Sequence, residues 1–196
     1  MAKVSHLLLL LSVVCIAATA KSAATKSGGA TNFIKNSCSA TNYPTVCVQS
    51  LSPYASKIQQ NQRQLVQTAL SVSLANAQST KGFVSKLGRS KGLKAREYAA
   101  IKDCLEEIGD TVDRLSQSVQ ELKLHGQGKG RDFQWHMSNV ETWVSAALTD
   151  ENTCVDGFSG RALDGKIKAS VKGRVVNLAQ VVSNALALVN RYAKKH

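Results

Sequence analysis

No aspartate or glutamate occurs in the first 96 of the 196 residues, although the chain carries a formal net charge of +12. Charge is therefore segregated along the sequence. Proline is confined to Pro44 and Pro53, and aromatic residues make up 5% of the chain, too few for the cross-strand pairs of a β-sandwich. No stretch reaches 18 consecutive apolar residues, so no membrane-spanning helix is expected. CxxC pairs are absent, so a zinc site is not expected. GxSxG, HExxH, GxGxxG and P-loop patterns are absent too, and with them the common nucleophile, metalloprotease and nucleotide signatures.

The first twenty residues, MAKVSHLLLLLSVVCIAATA, join a basic Lys3 to a short apolar run and a small-x-small ending at Ala18–Ala20. These are the parts of a secretory signal peptide. The expected division is a signal peptide at 1–20, a flexible segment at 21–30 and one domain at 31–195. Cleavage after Ala20 leaves Cys38, Cys47, Cys104 and Cys154. In an oxidising compartment four cysteines imply two disulfides, with three connectivities open.

From Gln62 onward the chain is rich in Ala, Leu, Val, Ser, Gln and Lys, which favours helix. Four segments are expected, at about 61–89, 94–124, 132–158 and 164–192. The second is the clearest: Ile101, Cys104, Leu105, Ile108, Val112, Leu115, Val119 and Leu122 form one stripe at three-four spacing. The third carries Val140, Val144, Ala147, Cys154 and Phe158, and the fourth Ile167, Val171, Val175, Leu178, Val182, Ala185 and Leu188. A shorter module at 31–58 precedes them, broken into two helical pieces at Thr41–Pro44, with Thr41 or Asn42 the expected cap of the second. The fold class is all-α: an antiparallel four-helix bundle at 61–195 with an N-terminal helical hairpin extension.

If the second and third helices form a hairpin, Cys104 and Cys154 face each other about a midpoint at Lys129, inside the glycine-rich link HGQGKGR at 125–131. Cys38 and Cys47 are then left as a local bridge. Chain entropy gives about 4 kcal/mol for the larger loop and about 2.7 kcal/mol for the smaller.

All thirteen acids fall between Glu97 and Asp164, where they face six bases; the mature chain outside that span has 18 bases. Asp103, Glu106, Asp110 and Asp113 follow spacings of three, four and three, so they share a polar stripe beside the core stripe. Like charges in a row weaken a helix, which suggests a docking surface for a basic partner. The basic remainder, including the six bases of KGFVSKLGRSKGLKAR at 81–96, suits an acidic polysaccharide. No aromatic stacking pattern accompanies it, so nucleic acid is not expected, nor is a membrane after signal cleavage. His125 lies in the glycine-rich link, His136 is expected to pack near a helix start, and His196 is terminal. No catalytic set, metal or cofactor is expected.

Three motifs in this order resemble the plant invertase and pectin methylesterase inhibitors over about residues 30–193. They are CSATNYPTVC in the N-terminal module, CLEEIGDTVDRL in the second helix and WVSAALTDENTCVDGF in the third. The resemblance implies the same bundle with its N-terminal hairpin, and pairing of first with second and third with fourth cysteine. It implies a secreted cell-wall (apoplastic) inhibitor that binds one enzyme and occludes its cleft. The matching contact positions are Asp110 and Asp113, with Glu106 a weaker match, and Thr153 and Asp156 in the third helix. Invertase inhibitors of the same fold insert a Pro-Lys-Phe element, and this bundle has no proline, so the resemblance points to pectin methylesterase, with acid invertase the alternative. A basic wall protein that binds acidic pectin is the alternative of another class. A similar pro-region precedes some pectin methylesterases; at 196 residues a free inhibitor is expected. The 125–131 link is expected to be longer than is usual for the family.

Overall fold

A computed structural model describes residues 28–195, and every regular element among them is helical. The expected signal peptide and most of the 21–30 segment lie outside the described residues. Helix α1 covers residues 28–38, α2 Pro44–Leu51 and α3 Ala55–Ile58, with a 3-10 turn at Ser52–Tyr54 between the last two. The long helices are α4 (Gln62–Gly88), α5 (Ala95–His125), α6 (Gly130–Asp156) and α7 (Lys166–Ala193). Residues 28–30, expected to be flexible, are helical, and Ala30 is buried.

Local chemistry sets the helix starts. Asn61 caps α4 by accepting the Gln64 N–H at 3.0 Å. At α5 the Glu97 carboxylate reaches back to accept the Lys94 N–H at 2.9 Å. Each long helix then turns its predicted stripe to the core, although Leu105, Val112, Val119 and Ile167 are only partly buried at its margins. Ile101, Cys104, Ile108, Leu115 and Leu122 of α5 are all 1% exposed or less, and Val171, Val175, Leu178 and Val182 of α7 match them. In the bundle α5 packs on α4 and α6, and α7 closes the ring against the same two helices.

The glycine-rich link is shorter than the sequence suggests. Helix α5 continues to His125 and α6 begins at Gly130, leaving four residues between them. Gly126 is required there: a Cβ would collide with the Leu122 carbonyl oxygen. The C-terminus of α7 clamps the turn, Tyr192 donating its hydroxyl proton to the Gly126 carbonyl at 2.6 Å and Gln134 Nε2 donating to the Ala193 carbonyl at 3.3 Å.

The N-terminal module rests on α4 and α7. Cys38 is bonded to Cys47, and Cys104 to Cys154. Neither expected cap serves α2, whose N-cap is Tyr43 with no side-chain bond. Thr41 instead closes α1 by donating to the Cys38 carbonyl, and Asn42 donates to Ser183 Oγ. Asn184 of α7, 3% exposed, takes over: its Oδ1 accepts the Tyr43 N–H and its Nδ2 donates to the Tyr43 carbonyl, both at 2.9 Å. One buried amide thus satisfies both backbone groups of the turn, a tertiary contact that displaces the local cap.

Candidate functional site

With the N-terminal module on α4 and α7, the outer face of the α5–α6 hairpin stays uncovered among the described residues. Four contacts fix its register. The Cys104–Cys154 disulfide holds one end; Thr111 Oγ1 donates to the Ala147 carbonyl at 3.4 Å; Arg114 Nε donates to Asp150 Oδ2 at 2.7 Å; and Glu121 Oε1 meets His136 Nδ1 at 2.6 Å.

In that register Asp103, Glu106, Asp110 and Asp113 are all exposed on α5, and Thr153 and Asp156 are exposed on α6. Asp156 lies opposite the start of α5, about 12 Å along the axis from Asp110 at 1.5 Å per residue. Thr153 Oγ1 donates to the Thr149 carbonyl at 2.9 Å, so its hydroxyl oxygen still has acceptor capacity toward solvent. The hairpin brings the five predicted contact positions, Glu106, Asp110, Asp113, Thr153 and Asp156, with Asp103, onto one half of the bundle, beside helices α4 and α7 that contain no acid.

Not every acid of the hairpin is available. Asp150 is 7% exposed and tied to Arg114. The neighbouring Glu107 carboxyl is raised above its ordinary range by partial burial, then by Asp150 and Asp110, with Arg114 opposing them. Glu151 is fully buried, and neither of its carboxyl oxygens has a hydrogen-bond partner among the described residues. Burial, with Asp150 beside it, pushes that carboxyl up to about 9, so Glu151 is a neutral acid in the core at pH 7. Sequence reasoning missed it by treating acids as solvent-facing. The signal was present: Ala147 and Cys154 leave one gap in the three-four stripe, and position 151 fills it.

Residues 32–188 match the family model described as plant invertase/pectin methylesterase inhibitor. The chain belongs to this inhibitor family. Among its relatives is the "21 kDa protein" of Daucus carota, 58% identical over 174 residues that cover 89% of this chain and 90% of the carrot protein. "Pectinesterase inhibitor 11" of Arabidopsis thaliana is 55% identical over 190 residues, covering 96% and 94% of the two chains. A crystal structure of a mutant form of a pectin methylesterase inhibitor from Arabidopsis superposes with a TM-score of 0.63 at 22% identity, over 78% of this chain and 92% of that one. That likeness is one of fold. The two disulfides of this chain pair first with second and third with fourth cysteine, as the resemblance implied.

Proposed function

We propose that this family member is a secreted inhibitor, not an enzyme, that binds one pectin methylesterase per chain and covers its substrate cleft with the outer face of α5–α6. The observation that carries the reading is the uncovered acidic stripe, held in register with Thr153 and Asp156 in a chain 55% identical to a pectinesterase inhibitor. Asp110, Asp113 and Asp156, with Glu106 at the edge, make salt bridges and charge-assisted hydrogen bonds to a basic cleft rim, and Thr153 adds a hydroxyl acceptor. The N-terminal signal pattern supports secretion, and the cell wall is the destination at which the proposed target would be met. Among the described residues no helix is long and apolar enough to cross a membrane. The acid-free faces of α4 and α7 give the inhibitor a hold on demethylated, acidic pectin, which salt-sensitive retention on polygalacturonate would register.

The decisive experiment compares methanol release from methylated pectin with sucrose hydrolysis by an acid invertase, each titrated with the oxidised protein. Methanol release is expected to fall in proportion to added protein while sucrose hydrolysis stays constant. Unchanged release across several plant esterases overturns the reading.

The charges give a second outcome. Asp110→Asn with Asp113→Asn is expected to slow association with the esterase about tenfold at low salt, with a smaller change in dissociation. Both side chains are exposed, so the double variant keeps the fold. Equal association rates for variant and parent in stopped-flow binding would remove electrostatic docking from this face.

A further inference from the structure

The turn end of the α5–α6 hairpin carries a cluster that enzyme inhibition does not use. Glu121 and His125 lie four residues apart on α5, one above the other, and His136 faces them from α6. One ligand-type atom from each of the three lies within 4.8 Å of the others. The side chains of His136 and Glu121 are only 13% and 17% exposed. Asn139 Nδ2 donates to the same Glu121 oxygen that meets His136, at 3.3 Å. Burial alone would raise the Glu121 carboxyl, but the hydrogen bonds from His136 and Asn139 prevail and hold it below its ordinary range. The Glu121 carboxylate thus meets His136 directly and shares the cluster with His125. On the far side of His136, Nε2 lies 3.5 Å from Asp132 Oδ1, in position to orient the ring.

We propose that Glu121, His125 and His136 bind a first-row divalent cation, with zinc the reference ion. Two imidazoles and one carboxylate are a zinc donor set that leaves a position for water. Ligand atoms around a tetrahedral zinc stand roughly 3.3 Å apart at bond lengths near 2.0–2.1 Å, so the cluster must contract by about 1.5 Å at its widest. Binding replaces the hydrogen bond between Glu121 Oε1 and His136 Nδ1: the ring takes the tautomer with its proton on Nε2, toward Asp132, and the Nδ1 lone pair goes to the metal. The His125 and His136 rings are stacked, with centroids 3.6 Å apart and planes 2° from parallel. A shared ion must lie in both ring planes, so the His125 ring turns out of the stack. His125 is the last residue of α5 and is exposed, so its ring can turn into solvent.

The ion would brace the hairpin where the disulfide does not reach: Glu121 is about 25 Å along α5 from Cys104 and about 16 Å from Asp110. The site is independent of the docking face, and zinc is expected to leave inhibition unchanged.

Calorimetric titration of the oxidised mature protein with zinc chloride is expected to show one ion per chain. The melting temperature is expected to rise by about 5–11 °C at a hundredfold excess over Kd, with no rise in magnesium, a hard cation that prefers oxygen ligands. His125→Gln is expected to weaken binding at least tenfold while its own melting temperature without zinc stays near that of the parent. Glu121→Gln weakens binding as well, and His196→Gln leaves it intact. Absence of heat and of a melting shift in the parent overturns the proposal, as does undiminished binding in His125→Gln.

Discussion

Between pH 5 and pH 7 the protein is expected to lose about 2–3 kcal/mol of unfolding free energy through Glu151 alone, and Glu151→Gln is expected to abolish that loss. The folded-state carboxyl is held up to about 9 by burial and by Asp150, whereas in the unfolded chain it titrates near the ordinary glutamate value. From that ordinary value up to about 9 the native state keeps a proton that the unfolded state releases. The unfolded state thus binds fewer protons, and stability falls as pH rises, by about 1.4 kcal/mol per unit. Below the ordinary value both states are protonated and the contribution is flat. Glutamine occupies the same volume and carries no titrating proton. It leaves a buried polar group, so it does not restore the full stability of an apolar core, but its cost is independent of pH. Urea unfolding of parent and variant at several pH values in this window isolates the effect as a difference of slopes. Parallel slopes would mean that the Glu151 carboxyl is solvated or partnered in solution.

The same residue shows how far the sequence was legible. Three-four spacing places the four long helices to within about three residues, because each buried stripe must stay on one face over several turns. The acidic stripe Asp103–Glu106–Asp110–Asp113 reads correctly as exposed for the same geometric reason. Charge type is the weaker guide. Glu151 follows the apolar spacing and is buried against its chemistry, and Asp150 is removed from the docking face by Arg114, a partner on another helix. Composition misled at two turns. Three glycines suggested a long link at 125–131, yet Gly130 opens α6 and Tyr192 closes the turn from α7. At Tyr43 a buried Asn184 overrides the local cap from more than 100 residues away. Both are tertiary contacts, which local propensity cannot encode. The Glu121–His125–His136 cluster was within reach: a hairpin midpoint near 129 sets position 121 opposite about 137. The absence of CxxC argues only against thiolate zinc sites, so the expectation of no zinc drawn from it is too broad.

Removing the Cys104–Cys154 bridge as a Cys104→Ala, Cys154→Ala pair is expected to cost about 4 kcal/mol, more than the roughly 2.7 kcal/mol for Cys38→Ala with Cys47→Ala. The difference comes from the unfolded chain. One bridge closes a loop of sequence separation 50 and the other of 9, and the longer loop loses more entropy when tied. All four cysteines are 2% exposed or less, so each alanine pair also leaves a comparable small cavity and the ranking survives. Against a typical domain stability of about 5–15 kcal/mol, the larger loss removes a substantial fraction, and the melting temperature is expected to fall by about 8–16 °C. The functional consequence is more specific. Cys104–Cys154 fixes α5 against α6 at the end where Asp103, Glu106, Thr153 and Asp156 lie, whereas Arg114–Asp150 and Glu121–His136 hold the middle and the turn. Loss of the bridge is therefore expected to weaken esterase inhibition at temperatures well below global melting, and loss of Cys38–Cys47 is not. Parallel decline of inhibition and helical circular dichroism in the first variant would show that the bridge contributes only to global stability and not to the register of the docking face.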